Sequence, residues 1–176
     1  MFYSKPQSLQ KIDSLHLCEY IIEKVRAYGP VSHLKLQKLL YYCQAFHLAY
    51  FDAPIIDDQF QAWLHGPVSR KIYDELKGVS VLHAAINYTQ DPGEPSPQER
   101  LDHTLLASQV EFIDDVLAEF GPKSAYELEG MTHAELPWVE ARRGYGPGDR
   151  CERNISEATI KSYYGQFMYG PEPEAV

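Results

Sequence analysis

The sequence predicts a mainly α fold: a compact single domain built around a central helical hairpin, with at most a short β-hairpin near residues 55–65. Three observations predict it. Two segments with helical apolar spacing follow one another, separated by little more than Gly29-Pro30. The second is apolar over more than half its circumference, as a helix with neighbours on several sides must be. Period-two alternation occurs once, at Gln59–Leu64, and 176 residues suit one continuous core.

The first helix is expected from about Ser14 to Tyr28. Leu17, Cys18, Ile21, Ile22 and Val25 share a stripe, Asp13 or Ser14 can cap the start, and Gly29-Pro30 stops it. Residues 1–13 read as an N-terminal extension. The second helix starts after the N-cap Ser32 and carries to about Phe51, with Leu36, Leu39, Leu40, Cys43 and His47 as its main stripe. A short turn between two helices favours hairpin packing.

Phe60, Ala62 and Leu64 alternate with polar neighbours and predict a short extended segment. Gly66-Pro67 then breaks it and is expected to open a helix, with Pro67 at the first helical position. Val68, Ile72 and Leu76 mark the buried face of that helix, and Gly78 ends it. Residues 88–98 form a Pro-rich loop. A third long helix is expected over about 97–120, with Leu101, Leu105, Ser108, Phe112, Val116 and Phe120 along its inner face. Glu111, Asp114, Asp115 and Glu119 make its acidic exterior. A helix after Gly121-Pro122 turns Ala125, Leu128 and Met131 inward, and an irregular stretch carries Thr132–Trp138. Ser156 caps a last helix, and residues 169–176 read as a frayed tail.

Charge narrows the function. The net charge is −9. Residues 1–77 hold nine basic and eight acidic side chains, while residues 78–176 hold seven and seventeen. A phosphate-binding surface needs clustered Lys and Arg, so nucleic acid is excluded as a direct partner and a basic partner protein is favoured. No apolar run reaches the roughly 18 residues of a membrane span, and the N-terminus has no signal-peptide pattern. Three widely spaced cysteines form no CxxC pair, which fits a reducing cytoplasm.

Chemistry finds little support. His33 and His47 lie fourteen positions apart on one helix, about 21 Å along its axis, too far to share a metal. His65 and His133 both sit in Pro-containing turns; with Glu135 or Asp58 they would make a conceivable zinc or iron site. That defines the alternative reading, a metal-dependent hydrolase using His65 and His133. Cys151, between Arg150 and Arg153, lacks a nucleophile motif, and Gly144–Gly148 contains a proline unsuited to a phosphate loop. No catalytic residue, metal site or cofactor is assigned. The aromatic content of 12%, with thirteen tyrosines, leans toward a binding module.

Three motifs then stand out in order: Leu34-Lys35-Leu36-Gln37-Lys38-Leu39-Leu40-Tyr41-Tyr42, Ala62-Trp63-Leu64-His65-Gly66-Pro67-Val68, and Thr132-His133 followed by Pro137-Trp138. Together with Ile155-Ser156 and Tyr163-Tyr164 they resemble the Panacea-domain family of SocA-like antitoxins and phage-associated GepA-like proteins, over residues 14–168. The resemblance implies an antitoxin of a bacterial or prophage toxin–antitoxin system. It implies direct binding to a toxin from an adjacent gene, and adaptor delivery of that toxin to a ClpXP-type protease. It implies no catalytic reaction and no cofactor. Leu36, Gln37, Leu39, Tyr41, Tyr42, Gly66, Pro67, Val68, Thr132, His133, Pro137 and Trp138 are expected to maintain the fold. Lys35 and Lys38, whose stems can cover apolar surface while their ammonium groups reach a carboxylate or carbonyl, are candidate toxin contacts. Trp63, Glu111, Asp114, Asp115 and Glu119 complete that set. The oligomeric state is not legible.

Overall fold

The computed structural model describes residues 8–76 and 91–169. Gly78, residues 88–90 of the Pro-rich loop, residues 1–7 of the extension and residues 170–176 of the tail lie outside these. In chain order the elements are α1 (Ser14–Val25), a 3-10 turn (Arg26–Tyr28), α2 (His33–Phe51), β1 (Phe60–Trp63), β2 (Gly66–Ser69), α3 (Arg70–Glu75), α4 (Pro97–Thr104), α5 (Ala107–Phe120), α6 (Ala125–Ala134), α7 (Leu136–Ala141) and α8 (Glu157–Tyr169). The fold is mainly α, with one short antiparallel hairpin among the described residues.

α1 begins where Asp13 accepts the Leu15 N–H at 2.9 Å. α2 begins where Ser32 accepts the Lys35 N–H. It ends at Asp52, a non-glycine residue at φ 56° whose amide reaches back to the Leu48 carbonyl. Sixteen of the nineteen residues of α2 are buried. The helix runs through the middle of the molecule with α1, α5, α6, α8 and β2 packed around it, α8 most extensively. One N–H···O bond links Gln44 Nε2 to the Ile56 carbonyl, and its Oε1 accepts from the amides of Ile55 and Ile56. A single glutamine thus satisfies a loop that has no strand to pair with.

Three expectations need correction. Gly66-Pro67 does not open a helix: Gly66–Ser69 pairs with Phe60–Trp63 as β2, and α3 starts only at Arg70, capped by Ser69. Gly66 at φ 106° closes the two-residue turn through Leu64 and His65, and Pro67 is tolerated on the β2 edge because its partner Ala62 directs its N–H to Arg153, so the ladder requires no N–H from Pro67. The other edge, along β1, is covered by residues 153–155 through Ala62 N–H to Arg153 O and Ile155 N–H to Phe60 O.

The helix expected over 97–120 is two helices, broken by the extended residues Leu105 and Leu106. In one continuous helix Leu105 and Val110 would point about 140° apart. The break lets both face the core, where they are 1% and 7% exposed. Ser108 is consequently exposed rather than inward. The side chain of Gln109 seals the break, accepting the Leu106 N–H at 3.0 Å and donating to the Gln10 carbonyl at 2.9 Å. Finally, Thr132–Trp138 is not irregular: it spans the end of α6 and the start of α7, hinged at Glu135.

Candidate partner-binding surface

The motif residues converge where α2 meets the hairpin. Leu36 and Leu39 are fully enclosed in the core. Gln37 clamps the end of β2, accepting the Ser69 N–H at 2.9 Å and donating to the Ser69 carbonyl at 3.2 Å. Lys38 has no exposed surface; its Nζ donates to the Pro67 carbonyl at 3.0 Å. Burial pulls its pKa down to about 7, opposed by the Glu129 carboxylate. The lysine stem lies directly over Gly66, where an added Cβ would meet Cε at 2.5 Å and Thr132 Oγ1 at 2.8 Å. Pro67, Val68 and Thr132 are buried around it, and Thr132 Oγ1 donates to the Glu129 carbonyl.

The second convergence joins the hairpin to α7. Pro137 is buried in the first turn of α7. Trp138 Nε1 donates to the Trp63 carbonyl at 2.9 Å, and its ring stacks on His133 at 4.1 Å. Arg142 covers the other region of the indole, 5.1 Å from the ring centroid. Its guanidinium donates to three carbonyls, Ala62 at 2.9 Å, Gly146 at 3.2 Å and Asp149 at 2.6 Å. Nothing in the sequence flagged Arg142, since a buried arginine serving carbonyls has no motif. Trp63 is half-buried, its indole N–H on Gln61 Oε1 and its ring against Tyr73.

His65 and His133 do come together, at Glu129. His65 Nδ1 is 2.8 Å from Glu129 Oε1, and His133 Nε2 is 3.8 Å from it. Among the described residues no group of three His, Cys, Asp or Glu side chains is arranged to hold a metal ion. Glu135 and Asp58, the expected third ligands, are engaged elsewhere: Asp58 accepts from Ser69 Oγ, and Glu135 accepts from Tyr42 Oη at 2.6 Å. Among the described residues the metal-dependent hydrolase reading finds no donor set.

Glu135 is the floor of the third feature. Tyr164 Oη lies 3.1 Å from both Glu135 Oε1 and Tyr41 Oη. Tyr42 from α2 and Tyr164 from α8 therefore meet one carboxylate, with Tyr41 behind Tyr164, and burial raises the pKa of that carboxylate above the usual range. Above it opens a groove of about 520 Å³ between α2, α5, α6 and α8. Phe46, Phe112, Val116, Phe120, Met131 and Met168 line it, and Phe167, 63% exposed, stands at its lip. Asp115 and Glu119, one turn apart on α5, are its other polar lining. Both are exposed, as is Glu111 one turn earlier.

Asp114 does not belong to that acidic exterior. It turns toward α1 and accepts the Tyr20 hydroxyl at 2.5 Å. Lys35 sits at the start of α2 with only 6% exposure, and burial lowers its pKa. The candidate contacts thus separate: Lys38 is inside, Lys35 nearly so, Trp63 at the hairpin, and Asp115 and Glu119 on the groove. The groove itself has no sequence signal, because its lining comes from four helices far apart in the chain.

The comparisons with known proteins agree with the motifs. The family model described as "Antitoxin SocA-like, Panacea domain" matches residues 36–139. Over 167 residues, the chain is 27% identical to the Antitoxin SocA of Caulobacter vibrioides (strain NA1000 / CB15N), covering 90% of this chain and 85% of that protein. No solved structure matches. The matched span begins at Leu36 and ends at Val139, so it encloses the Lys38–Gly66 contact and the Trp63–Trp138 bond. This chain belongs to the SocA-like antitoxin family that carries the Panacea domain.

Proposed function

We propose that this chain is the antitoxin of a bacterial or prophage toxin–antitoxin pair, acting in the cytoplasm. It neutralises a toxin encoded by an adjacent gene through direct protein–protein binding. The observation that carries the reading is how the motif residues are used. Gln37, Lys38, Gly66, Trp138 and their neighbours spend their polar groups on each other and on internal carbonyls. A shared scaffold of this kind leaves recognition to the surface that the motifs do not occupy. The role is one of binding and not of catalysis. In the described residues no helix is long and apolar enough to cross a membrane.

Delivery of the bound toxin to a ClpXP-type protease is the second part of the proposal. It is supported by the family alone, and it predicts a shortened toxin half-life when this chain is present. The primary test is paired expression from separate promoters. The neighbouring open reading frame should arrest growth alone, and co-expression of this chain should restore it. A non-toxic neighbour, or arrest that persists with the chain abundant, would end the antitoxin reading. Repeating the rescue in cells lacking ClpX separates delivery from simple inhibition: rescue lost there supports delivery.

A further inference from the structure

We infer that the groove above Glu135 is the docking site for a cationic amphipathic helix of the partner protein. The inference rests on the antitoxin reading for the partner's identity as a toxin, and on the groove for its chemistry. Phe112, Phe120 and Met131, each half-buried against the core, line the groove with apolar surface, and the exposed Phe167 projects at the lip. Aromatic and methionine side chains that keep part of their surface open around a depression are the usual form of a helix-binding groove.

The walls decide the occupant's conformation. α2, α5, α6 and α8 carry their backbone hydrogen bonds internally, so an extended strand would find no edge to pair with and would lose its hydrogen bonds to water. A helix arrives with its own bonds satisfied. The rim decides its charge. The ionisable groups lining the groove are Asp115, Glu119 and Glu135, all acidic, and the described lining holds no Lys, Arg or His. Glu111 extends the same sign along α5. His47, whose ring meets Phe112 from the core side, and Lys161 of α8 are not part of the lining.

Charge disfavours two other occupants. A second copy docking by the same surface would set Asp115 and Glu119 against their own counterparts. The residues after Tyr169 carry Glu172 and Glu174 and no basic side chain, so they share the sign of the rim. A partner helix with apolar residues on one face and Lys or Arg beside them complements both the floor and the rim.

The test uses the full chain and a labelled synthetic helix of leucine and lysine, with the same helix carrying glutamate in place of lysine as control. Fluorescence anisotropy should show saturable binding of the lysine helix, about tenfold tighter than the glutamate helix at low salt, with the difference shrinking as salt rises. Phe167→Ala, at an exposed side chain, should weaken binding about fivefold without moving the thermal melt. Asp115→Lys with Glu119→Lys should remove the preference between the two helices. The same double variant should lose growth rescue against the adjacent gene's product.

Equal binding of both helices, or binding of neither, overturns the proposal. So does concentration-dependent dimerisation of the chain that Phe167→Ala abolishes, because the occupant is then a second copy. If the wild type and both variants rescue growth alike, the groove falls while the antitoxin reading stands. If the wild type rescues against no neighbour but the lysine helix binds through Phe167 and Asp115, the docking site stands and the antitoxin reading falls.

Discussion

Lys38 and Gly66 occupy one space: the lysine Cε sits 2.5 Å from where a β-carbon on the glycine would lie, and the glycine is held at φ 106°. Steric closeness and backbone conformation therefore both demand glycine here. Gly66→Ala should destabilise by about 2–4 kcal/mol, combining left-handed strain with overpacking. Denaturant midpoints would check it. Gly144 also has positive φ, at 88°, but nothing within 4 Å of a Cβ. Gly144→Ala should therefore cost less, and equal losses at the two sites would remove the Lys38 contact from the explanation.

The buried Lys38 makes stability depend on pH. Its folded pKa is lowered to about 7 from an ordinary 10.5. Between these values the unfolded chain holds a proton that the folded chain has lost, so stability rises with pH. Below about pH 7 both states are protonated and the dependence fades. Lys38→Met keeps the stem and removes the proton. The stability of the wild type relative to this variant should climb between pH 7 and 8.5, by up to about 1.4 kcal/mol per unit. Urea unfolding of both proteins across that range measures it, and comparison of the pair cancels the buried cysteines and tyrosines, whose pKa values are raised.

Arg142→Lys should destabilise by about 2–3 kcal/mol despite keeping the charge. A single ammonium cannot serve carbonyls on Ala62, Gly146 and Asp149 at once, nor lie over the Trp138 ring as a plane. Thermal melting would show the loss. A melt within a degree of wild type would mean that the loop carbonyls find other donors.

The acidic face of α5 should divide into two behaviours. Asp114→Ala removes the nearer acceptor of the buried Tyr20 hydroxyl, leaving only Gln98 Oε1 at 3.4 Å, and should cost about 1–2 kcal/mol. Glu111→Ala, on an exposed site of the same helix, should stay within about 0.5 kcal/mol. Paired denaturation curves decide between this and a uniformly solvated face.

Leu36→Ala and Leu40→Ala should each cost about 2–5 kcal/mol, since both side chains are fully enclosed on the central helix. Growth rescue should then decline through loss of folded protein, which soluble-fraction measurements would report alongside the melts.

The elements that could be read from the sequence are those specified locally. Ser32, an apolar stripe from Leu36 to His47 and a flanking Gly-Pro turn announce α2 within a residue of its observed start. The features that could not be read depend on distant partners. Leu105 and Leu106 break a helix with no Pro or Gly, because the core needs Leu105 and Val110 on one side. Pro67 reads as a helix start but joins a strand, since its carbonyl is wanted by Lys38. Asp114 shares a helix and a charge with Asp115, and only Tyr20, 94 residues earlier, separates their roles. The meeting of His65 and His133 was legible, although His133 lies in α6 and not in the turn the sequence suggested, while Arg142 and the groove, assembled from remote helices, were not.

The packing of α2 against α8 also sets an order of events during synthesis. Tyr41 and its hydrogen-bond partner Tyr164 are separated by 123 residues. At about 5–20 residues per second, a ribosome needs on the order of 6–25 s to deliver the second after the first. Throughout that interval the central helix, sixteen of whose nineteen residues end up buried, lacks the element that covers it most extensively. A nascent chain thus shows this helix to chaperones and proteases until α8 emerges, and no molecule can become active sooner than that interval after α2 is made.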